Sequence, residues 1–302
     1  MKKYIVFDIG GTDIKYSLMD ENANMLSSDK FGSKNLDGNS ILSNIKNIIN
    51  NFKLTAEIEG VAFSIPGFVN TETGYIEDGG AITDFSGLNI IEIIEKECEV
   101  KVSAENDANC VALAEKWKGN AKHSKNFLCL TIGTGIGGSI FIDNKLYRGS
   151  RYMAGEFGYM LLQDFDYNVY YRKQIVSRKI GLQGFLNDVS EEIGIEVTGE
   201  DVFDLRIEDK KEQLKLQIER FYKILAMSIF NLTYIFNPEK ILIGGAISQR
   251  IDLIGNLKEK LFKMNESLIG KIEIEQCKYY NDSGKIGALY HFIEKNKKKI
   301  NK

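Results

Sequence analysis

The stretch Ile5-Val6-Phe7-Asp8-Ile9-Gly10-Gly11-Thr12-Asp13-Ile14-Lys15 decides how this chain is read. An apolar run ends in a carboxylate, turns on two glycines, offers a hydroxyl, and resumes as alternating apolar and polar residues. That pattern predicts strands on both sides of the turn, Lys3 to Phe7 and Ile14 to Met19. Glycines let backbone N–H groups approach an anion that a side chain would block, and a nest of such amides suits a polyphosphate. Thr12 and Lys15 carry donors for phosphate oxygens, and Asp8 carries the charge to hold the metal ion that neutralises them. A purely structural Gly-Gly hairpin has the same local pattern. The rest of the chain must discriminate between the two.

A second strand-and-glycine unit begins at Asn126. Phe127 to Ile132 leads into Gly133-Thr134-Gly135-Ile136-Gly137-Gly138, and Ser139 to Ile142 reads as another strand. The parallel with residues 4–19 predicts a duplicated fold in which each domain supplies one phosphate-binding hairpin. The same glycines match G-x-G-x-x-G, but that fingerprint counts only when a helix start follows, and here a β-branched strand closing at Asp143-Asn144 follows instead. A third pair, Gly244-Gly245, follows the strand Lys240 to Ile243. That strand comes after a long apolar helix, Phe221 to Phe236, stopped by Pro238, and a further helix is expected from near Ser248. Helices are also predicted over Ser40 to Phe52, Cys110 to Trp117 and Gly287 to Lys302. Short strands are predicted at Glu59 to Phe63 and Lys101 to Ser103, with a turn at Ser64-Ile65-Pro66-Gly67.

At 302 residues the chain exceeds one ordinary core, which favours two domains. It is 43% apolar and 27% charged with a net charge of −3, and no basic stripe invites nucleic acid. No apolar run reaches membrane-spanning length, and Asp8 ends the first apolar stretch too early for a signal peptide, so a cytoplasmic protein is expected. Cys98, Cys110, Cys129 and Cys277 lie far apart, which argues against a structural zinc cage.

Asp107 is the candidate reacting group. It sits between Asn106 and Ala108-Asn109 where a strand gives way to a helix, with amides on hand to bond a polyol. Phosphoryl transfer needs alignment, charge neutralisation and a base beside the attacking hydroxyl. A carboxylate of ordinary pKa, about 4, is ionised at neutral pH and meets the last requirement. Helix N-capping by Asp107 fits the same position. In the polar cluster Gly149 to Tyr159, Glu156 lies between small residues and is suited to accept from two neighbouring sugar hydroxyls.

Four signals in this order resemble the ROK family of bacterial sugar kinases and related repressors: Asp8-x-Gly-Gly-Thr12-x-x-Lys15, Glu105-Asn-Asp107-Ala-Asn, Gly133-Thr-Gly-x-Gly137-Gly, and Gly155-Glu156-x-Gly158. Pro66-Gly67 and Asn237-Pro238 with Gly244-Gly245 also fit. The resemblance implies an α/β, actin-like (ribonuclease H-like) ATPase fold, with two domains and a cleft between them that takes ATP, Mg²⁺ and a hexose. The expected division is 1–117 plus 286–302 for one domain and 118–285 for the other. By the resemblance, Asp107 is the catalytic base. Gly10, Gly11, Thr12 and Lys15 form the first phosphate loop, with Asp8 beside it for the metal ion, and Thr131, Gly133, Thr134, Gly135 and Gly137 the second. Gly244 and Gly245 lie near the adenosine. Asn106, Asp107 and Glu156 contact the sugar, and Gly67 lies near its pocket.

The chain also departs from that family. Members usually carry His where Tyr159 stands, followed by a loop of clustered cysteines that completes a zinc site. Here Met160 to Arg172 contains no cysteine, so zinc is predicted absent, and the Tyr159 hydroxyl is left as a candidate sugar donor. Tyr167, Tyr170 and Tyr171 are expected to brace the loop by packing. Seven residues precede Asp8, too few for the repressors' DNA-binding module, so no nucleic-acid partner is expected. The expectation is an ATP-dependent kinase for the 6-hydroxyl of a hexose, N-acetylmannosamine first, with a β-glucoside kinase or glucokinase as the alternative. A non-catalytic sugar sensor is the alternative of another class. A homodimer is the family's implied state.

Overall fold

A computed structural model describes residues 1–162 and 165–300, with side chains to Lys297. Gln163 and Asp164, in the loop that stands where the cysteines are missing, and Asn301 and Lys302, at the end of the expected first domain, lie outside these residues.

The chain divides into two compact units: residues 1–122 with 146–154 and 281 onward, and residues 123–145 with 155–280. In the first, β1 (Lys3–Ile9) and β2 (Asp13–Asp20) pair antiparallel around the glycine turn, with Asp8 opposite Lys15. β3 (Met25–Gly32) adds to β2. Asp37 caps α1 (Gly38–Thr55) by accepting from the Ser40 N–H, and the helix buries Ile41, Leu42, Ile45 and Ile49. β4 (Gly60–Ile65) runs parallel to β1. A small hairpin of β5 (Phe68–Val69) and β6 (Ile76–Asp78) and then α2 (Ile90–Cys98) lead to β7 (Val102–Asn106), parallel to β4. α3 (Asp107–Lys118) leaves β7 with no intervening loop.

The second unit repeats the plan. β8 (Phe127–Ile132) and β9 (Ile136–Ile142) form an antiparallel hairpin on the second glycine turn. β10 (Lys145–Tyr147) lies where the chain crosses towards the 146–154 segment. Next come α4 (Val176–Ile180), α5 (Leu182–Ile193), α6 (Gly199–Phe203) and α7 (Lys211–Phe236). β11 (Lys240–Gly244) pairs parallel with β8, α8 (Leu253–Met264) follows, and β12 (Glu273–Gln276) pairs parallel with β11. α9 (Ser283–Ile300) returns to the first unit.

Every residue of β4 is buried, as expected of a parallel strand covered on both faces. α9 packs against α3, β4 and β7. Gly287 permits the approach to α3, since a Cβ there would run into the Cys110 carbonyl. On α7, Phe221, Leu225, Ile229 and Leu232 are buried, whereas Leu216, Tyr234 and Ile235 are exposed. The helix ends with Asn237 in the left-handed region and Pro238 next, a common helix stop. Among the described residues no helix is long and apolar enough to cross a membrane.

Three local expectations are corrected. Ser64 and Ile65 complete β4 rather than opening a turn. The helix after Gly245 begins at Leu253, because Ala246–Gln249 coil into a 3₁₀ turn in which Ser248 Oγ donates to the Gly245 carbonyl at 2.7 Å. The cap of α3 is Asn106, whose side chain accepts from the Asn109 N–H, and Asp107 is the first residue inside the helix.

Candidate active site

The parallel strands β1, β4 and β7 end along one edge of the first sheet, where open α/β sheets characteristically place ligands. The register sets Asp8 beside Ser64, and Ser64 beside Glu105. Ser64 Oγ donates to Asp8 Oδ1 at 2.6 Å. Burial raises the pKa of Asp8, against the lowering pull of the Ser64 hydrogen bond, Lys15 and Lys285. Gly284 of α9 lies against this carboxylate, and a Cβ there would collide with it. The Gly10 N–H closes the turn onto the Asp13 carbonyl at 3.1 Å. Ser33 fixes the turn from outside: its hydroxyl donates to the Gly10 carbonyl at 2.7 Å and its N–H to the Thr12 carbonyl at 2.9 Å. Thr12 itself is exposed.

Asp107 projects from the next strand end. Its Oδ1 accepts from the Ala108 N–H at 2.7 Å and from Asn106 Nδ2 at 3.1 Å. Asn106 Nδ2 also donates to the Gly67 carbonyl at 2.9 Å. Gly67 has φ +88°, and a Cβ there would strike the Asp78 carbonyl, so the turn after Pro66 needs glycine. Burial pushes the Asp107 carboxyl up to about 6, and repulsion from Asp8 adds to the rise against the two hydrogen bonds. The ordinary carboxylate value expected from sequence is thus corrected upwards, towards the range that suits a general base at neutral pH. Asp107 keeps part of its surface open to solvent.

Below it lies a group that sequence reading quoted without assigning. Glu105 is fully buried and yet ionised. Burial alone would raise its pKa, but the Arg148 charge and hydrogen bond outweigh that effect and hold it below the usual range. Arg148 Nε donates to Glu105 Oε2 at 2.8 Å, and its NH2 group makes a second bond to the same oxygen. Glu105 Oε1 accepts from the Asn106 N–H at 3.0 Å and from Asn109 Nδ2 at 3.1 Å. His291 Nδ1 lies 3.7 Å from Oε2, and burial drives that imidazole down to about 4, so it is neutral at pH 7. The carboxylate therefore holds both ends of the Asn106–Asn109 turn. Arg148 comes from the 146–154 segment, which the expected domain division placed with the second half of the chain.

In the second unit, Thr131 of β8 faces Gly137 on β9 and Gly244 on β11, so three candidate nucleotide residues stand abreast at one strand end. The Gly133–Gly135 turn is closed by the Gly133 N–H on the Gly135 carbonyl at 3.0 Å. Leu182 and Gln183, at the start of α5, bond the Gly133 and Thr134 carbonyls at 2.8 and 3.2 Å, and Ser177 Oγ accepts from the Ile136 N–H at 3.0 Å. Gly245 has φ +85°, with the Ile132 carbonyl where a Cβ would lie.

Glu156 precedes the 3₁₀ turn Phe157–Tyr159 and accepts the Tyr159 N–H on its carbonyl at 3.1 Å. Tyr159 stacks with Tyr171 at 6.4 Å, and the Arg172 guanidinium lies 6.0 Å from the Tyr159 ring centre. Tyr170 meets Tyr171 edge-on at 4.9 Å, whereas Tyr167 is 91% exposed. A polar clasp does much of the loop's bracing: Gln174 Nε2 donates to the carbonyls of Asp166 and Val169 at 2.9 and 2.8 Å, and its Oε1 accepts the Asp166 N–H at 2.8 Å. No group of three or more His, Cys, Asp or Glu side chains suited to a metal ion occurs among the described residues.

The ROK family model matches residues 4–295. The chain belongs to the ROK family. Among ROK relatives, a β-glucoside kinase from Listeria monocytogenes is 35% identical over 297 residues, covering 97% of this chain and 98% of its own length. A solved Listeria monocytogenes structure, described as a candidate N-acetylmannosamine kinase, superposes with a TM-score of 0.89 at 36% identity, covering 97% of this chain and 99% of that one. A ROK protein from Streptococcus pneumoniae, solved with sucrose, gives 0.85 at 27% identity over 98% and 99% of the two chains. The fold is accordingly the two-domain, actin-like ATPase fold of ROK sugar kinases.

Proposed function

We propose that this protein is an ATP-dependent sugar kinase that phosphorylates the 6-hydroxyl of a hexose. The observation that carries the reading is Asp107: a partly solvent-open carboxylate with its pKa raised to about 6, held by Asn106 and Ala108 at the strand edge that also carries Asp8. In this reading the Asp107 carboxylate takes the proton from the sugar hydroxyl as the new O–P bond forms. The bond between the γ-phosphorus and the β–γ bridging oxygen breaks, and ADP leaves. Gly10, Gly11, Thr12 and Lys15, and likewise Thr131, Gly133, Thr134, Gly135 and Gly137, are assigned to phosphate oxygens, with Gly244 and Gly245 assigned to the adenosine. Asp8, anchored by Ser64, is the residue that would hold Mg²⁺, which when bound neutralises phosphate charge. Asn106, Glu156, Tyr159 and the Gly67 turn are assigned to the sugar. No zinc is required by any of these roles.

The substrate we favour is a β-glucoside, because the β-glucoside kinase relatives match almost end to end at 35–36% identity. N-acetylmannosamine, first in the reading of the sequence, is the second candidate, supported by the description of the Listeria structure. ATP turnover measured side by side on cellobiose, glucose, N-acetylmannosamine and N-acetylglucosamine tests both. Highest kcat/KM on cellobiose supports the first choice, highest on N-acetylmannosamine reverses it, and no turnover on any sugar removes the kinase reading. A homodimer belongs to the same proposal, and light scattering on the purified protein tests it.

A further inference from the structure

Within the first unit, residues 68–77 and 150–152 line a concave site of about 240 Å³ that the proposed phosphotransfer leaves unused. Phe68, Asn70, Tyr75 and Glu77 form one wall, and Arg151 and Tyr152 the other. Each wall has its own strut to the catalytic turn. Phe68 follows directly on Gly67, whose carbonyl accepts from Asn106. The opposite wall belongs to the 146–154 segment, which Arg148 pins to Glu105, and Glu105 in turn holds the Asn106 N–H.

The walls also bond each other, as the Tyr152 hydroxyl donates to Asn70 Oδ1 at 3.0 Å. That oxygen accepts from the Glu72 and Thr73 N–H groups as well, at 3.0 and 3.3 Å, so the polar rim is fixed in place. Tyr152 has φ +60°, a left-handed conformation unfavourable for an aromatic residue. Strain of this kind persists where the surroundings over-determine a residue, and it concentrates at binding sites.

We propose that this site receives the second pyranose ring of a β-linked disaccharide whose first ring presents its 6-hydroxyl to Asp107. The inference rests on the kinase reading and extends it to a distal subsite. Pockets that bury a drug-sized ligand run to roughly 300–1,000 Å³, so a smaller one suits a single ring. Phe68 and Tyr75 offer faces for the C–H surface of a pyranose. Glu77, Arg151 and Asn70 offer acceptors and donors for its ring of hydroxyls. A carboxylate and a guanidinium in one site suit a neutral polyol, whose hydroxyls both donate and accept.

Kinetics with cellobiose and glucose test the subsite in the native protein. Tyr75→Ala and Arg151→Ala are each expected to raise KM for cellobiose by roughly tenfold, the scale of one lost stacking or charge-assisted contact. Glucose kcat/KM should stay unchanged, and Tyr75→Phe should behave as the native protein. Equal losses on both sugars, or none on either, would overturn the proposal. Calorimetry on Asp107→Asn separates the subsite from the chemistry. Tighter binding of cellobiose than of glucose, abolished by adding Arg151→Ala, supports the subsite even if the native protein showed no ATP turnover, in which case only the kinase reading falls. Equal affinity for the two sugars, or no cellobiose binding, overturns the subsite even if turnover is normal.

Discussion

Replacing Asp107 by Asn should make the protein less active and more stable, and the second effect should depend on pH. The carboxyl moves from an ordinary value of 3.8 to about 6 because folding buries it and sets it near Asp8. A pKa raised by folding disfavours the charged form. Below about pH 4 the group is protonated in both the folded and unfolded states and costs nothing; as pH rises through 6 the folded state must carry a charge it resists. At about 1.4 kcal/mol per pH unit the penalty is on the order of 3 kcal/mol, and roughly 2 kcal/mol after allowing for the solvent-open part of the side chain. An Asn Oδ1 can keep both bonds, from Ala108 N–H and Asn106 Nδ2, while the repulsion with Asp8 disappears. Calorimetric scans should therefore show the variant's unfolding transition raised by a few °C at pH 7.5, with the gap closing by pH 4. In the same protein kcat should fall by about 10²- to 10⁴-fold, the usual worth of a general base, with sugar affinity retained. A variant that is less stable at pH 7.5, or equally displaced at both pH values, would refute the burial argument. Near-native kcat would refute the base.

Native kcat/KM should fall tenfold per pH unit below a midpoint of about 6, since Asp107 must be ionised to accept a proton. Asp8→Asn should move that midpoint down in its residual activity, because the neighbouring negative charge is gone, and pH–rate profiles of the two proteins check the direction. Gly67→Ala should destabilise the fold by about 2 kcal/mol or more and weaken sugar binding, measured by denaturant titration and KM, as it forces a Cβ into the Asp78 carbonyl at φ +88°. Glu105→Gln should cost on the order of 2 kcal/mol at neutral pH by leaving Arg148 without its counter-charge, and the cost should shrink as pH falls below the ordinary value of 4.5 and through the depressed pKa of the folded carboxyl. Metal analysis of the purified protein should find no stoichiometric zinc, and chelation should abolish ATP turnover until Mg²⁺ is restored.

Much of the frame was legible because glycine and hydrophobic periodicity act locally. The Gly10-Gly11 and Gly133–Gly135 turns, the strands around them and the amphipathic face of α1 each follow from a few adjacent residues. β3 escaped notice because an exposed strand of serines and charges needs no apolar alternation, and its neighbour β2 alone specifies it. α3 was placed three residues late because Asp107, Ala108 and Asn109 look like a loop until Asn106 is seen to cap them. Asp107 is also the proposed base, so the proposed chemistry and helix initiation share one turn.

The parts of the site that sequence could not reveal are those that depend on long-range contacts. Glu105 enters the sequence only as the first residue of the Glu105-Asn-Asp107 signature, with no role of its own, and Arg148 carries no local signal. Only the fold sets the guanidinium against a fully buried carboxylate. A buried carboxylate is costly unless charge and hydrogen bonds compensate it, and here four donors from Arg148, Asn106 and Asn109 do so. Those donors come from the turn that holds the proposed base and from the segment that carries Arg151 and Tyr152. One ion pair therefore ties the turn of the proposed base to the segment that lines the proposed distal subsite. Loosening it should impair cellobiose more than glucose, because in the proposed subsite only the disaccharide's second ring meets that wall.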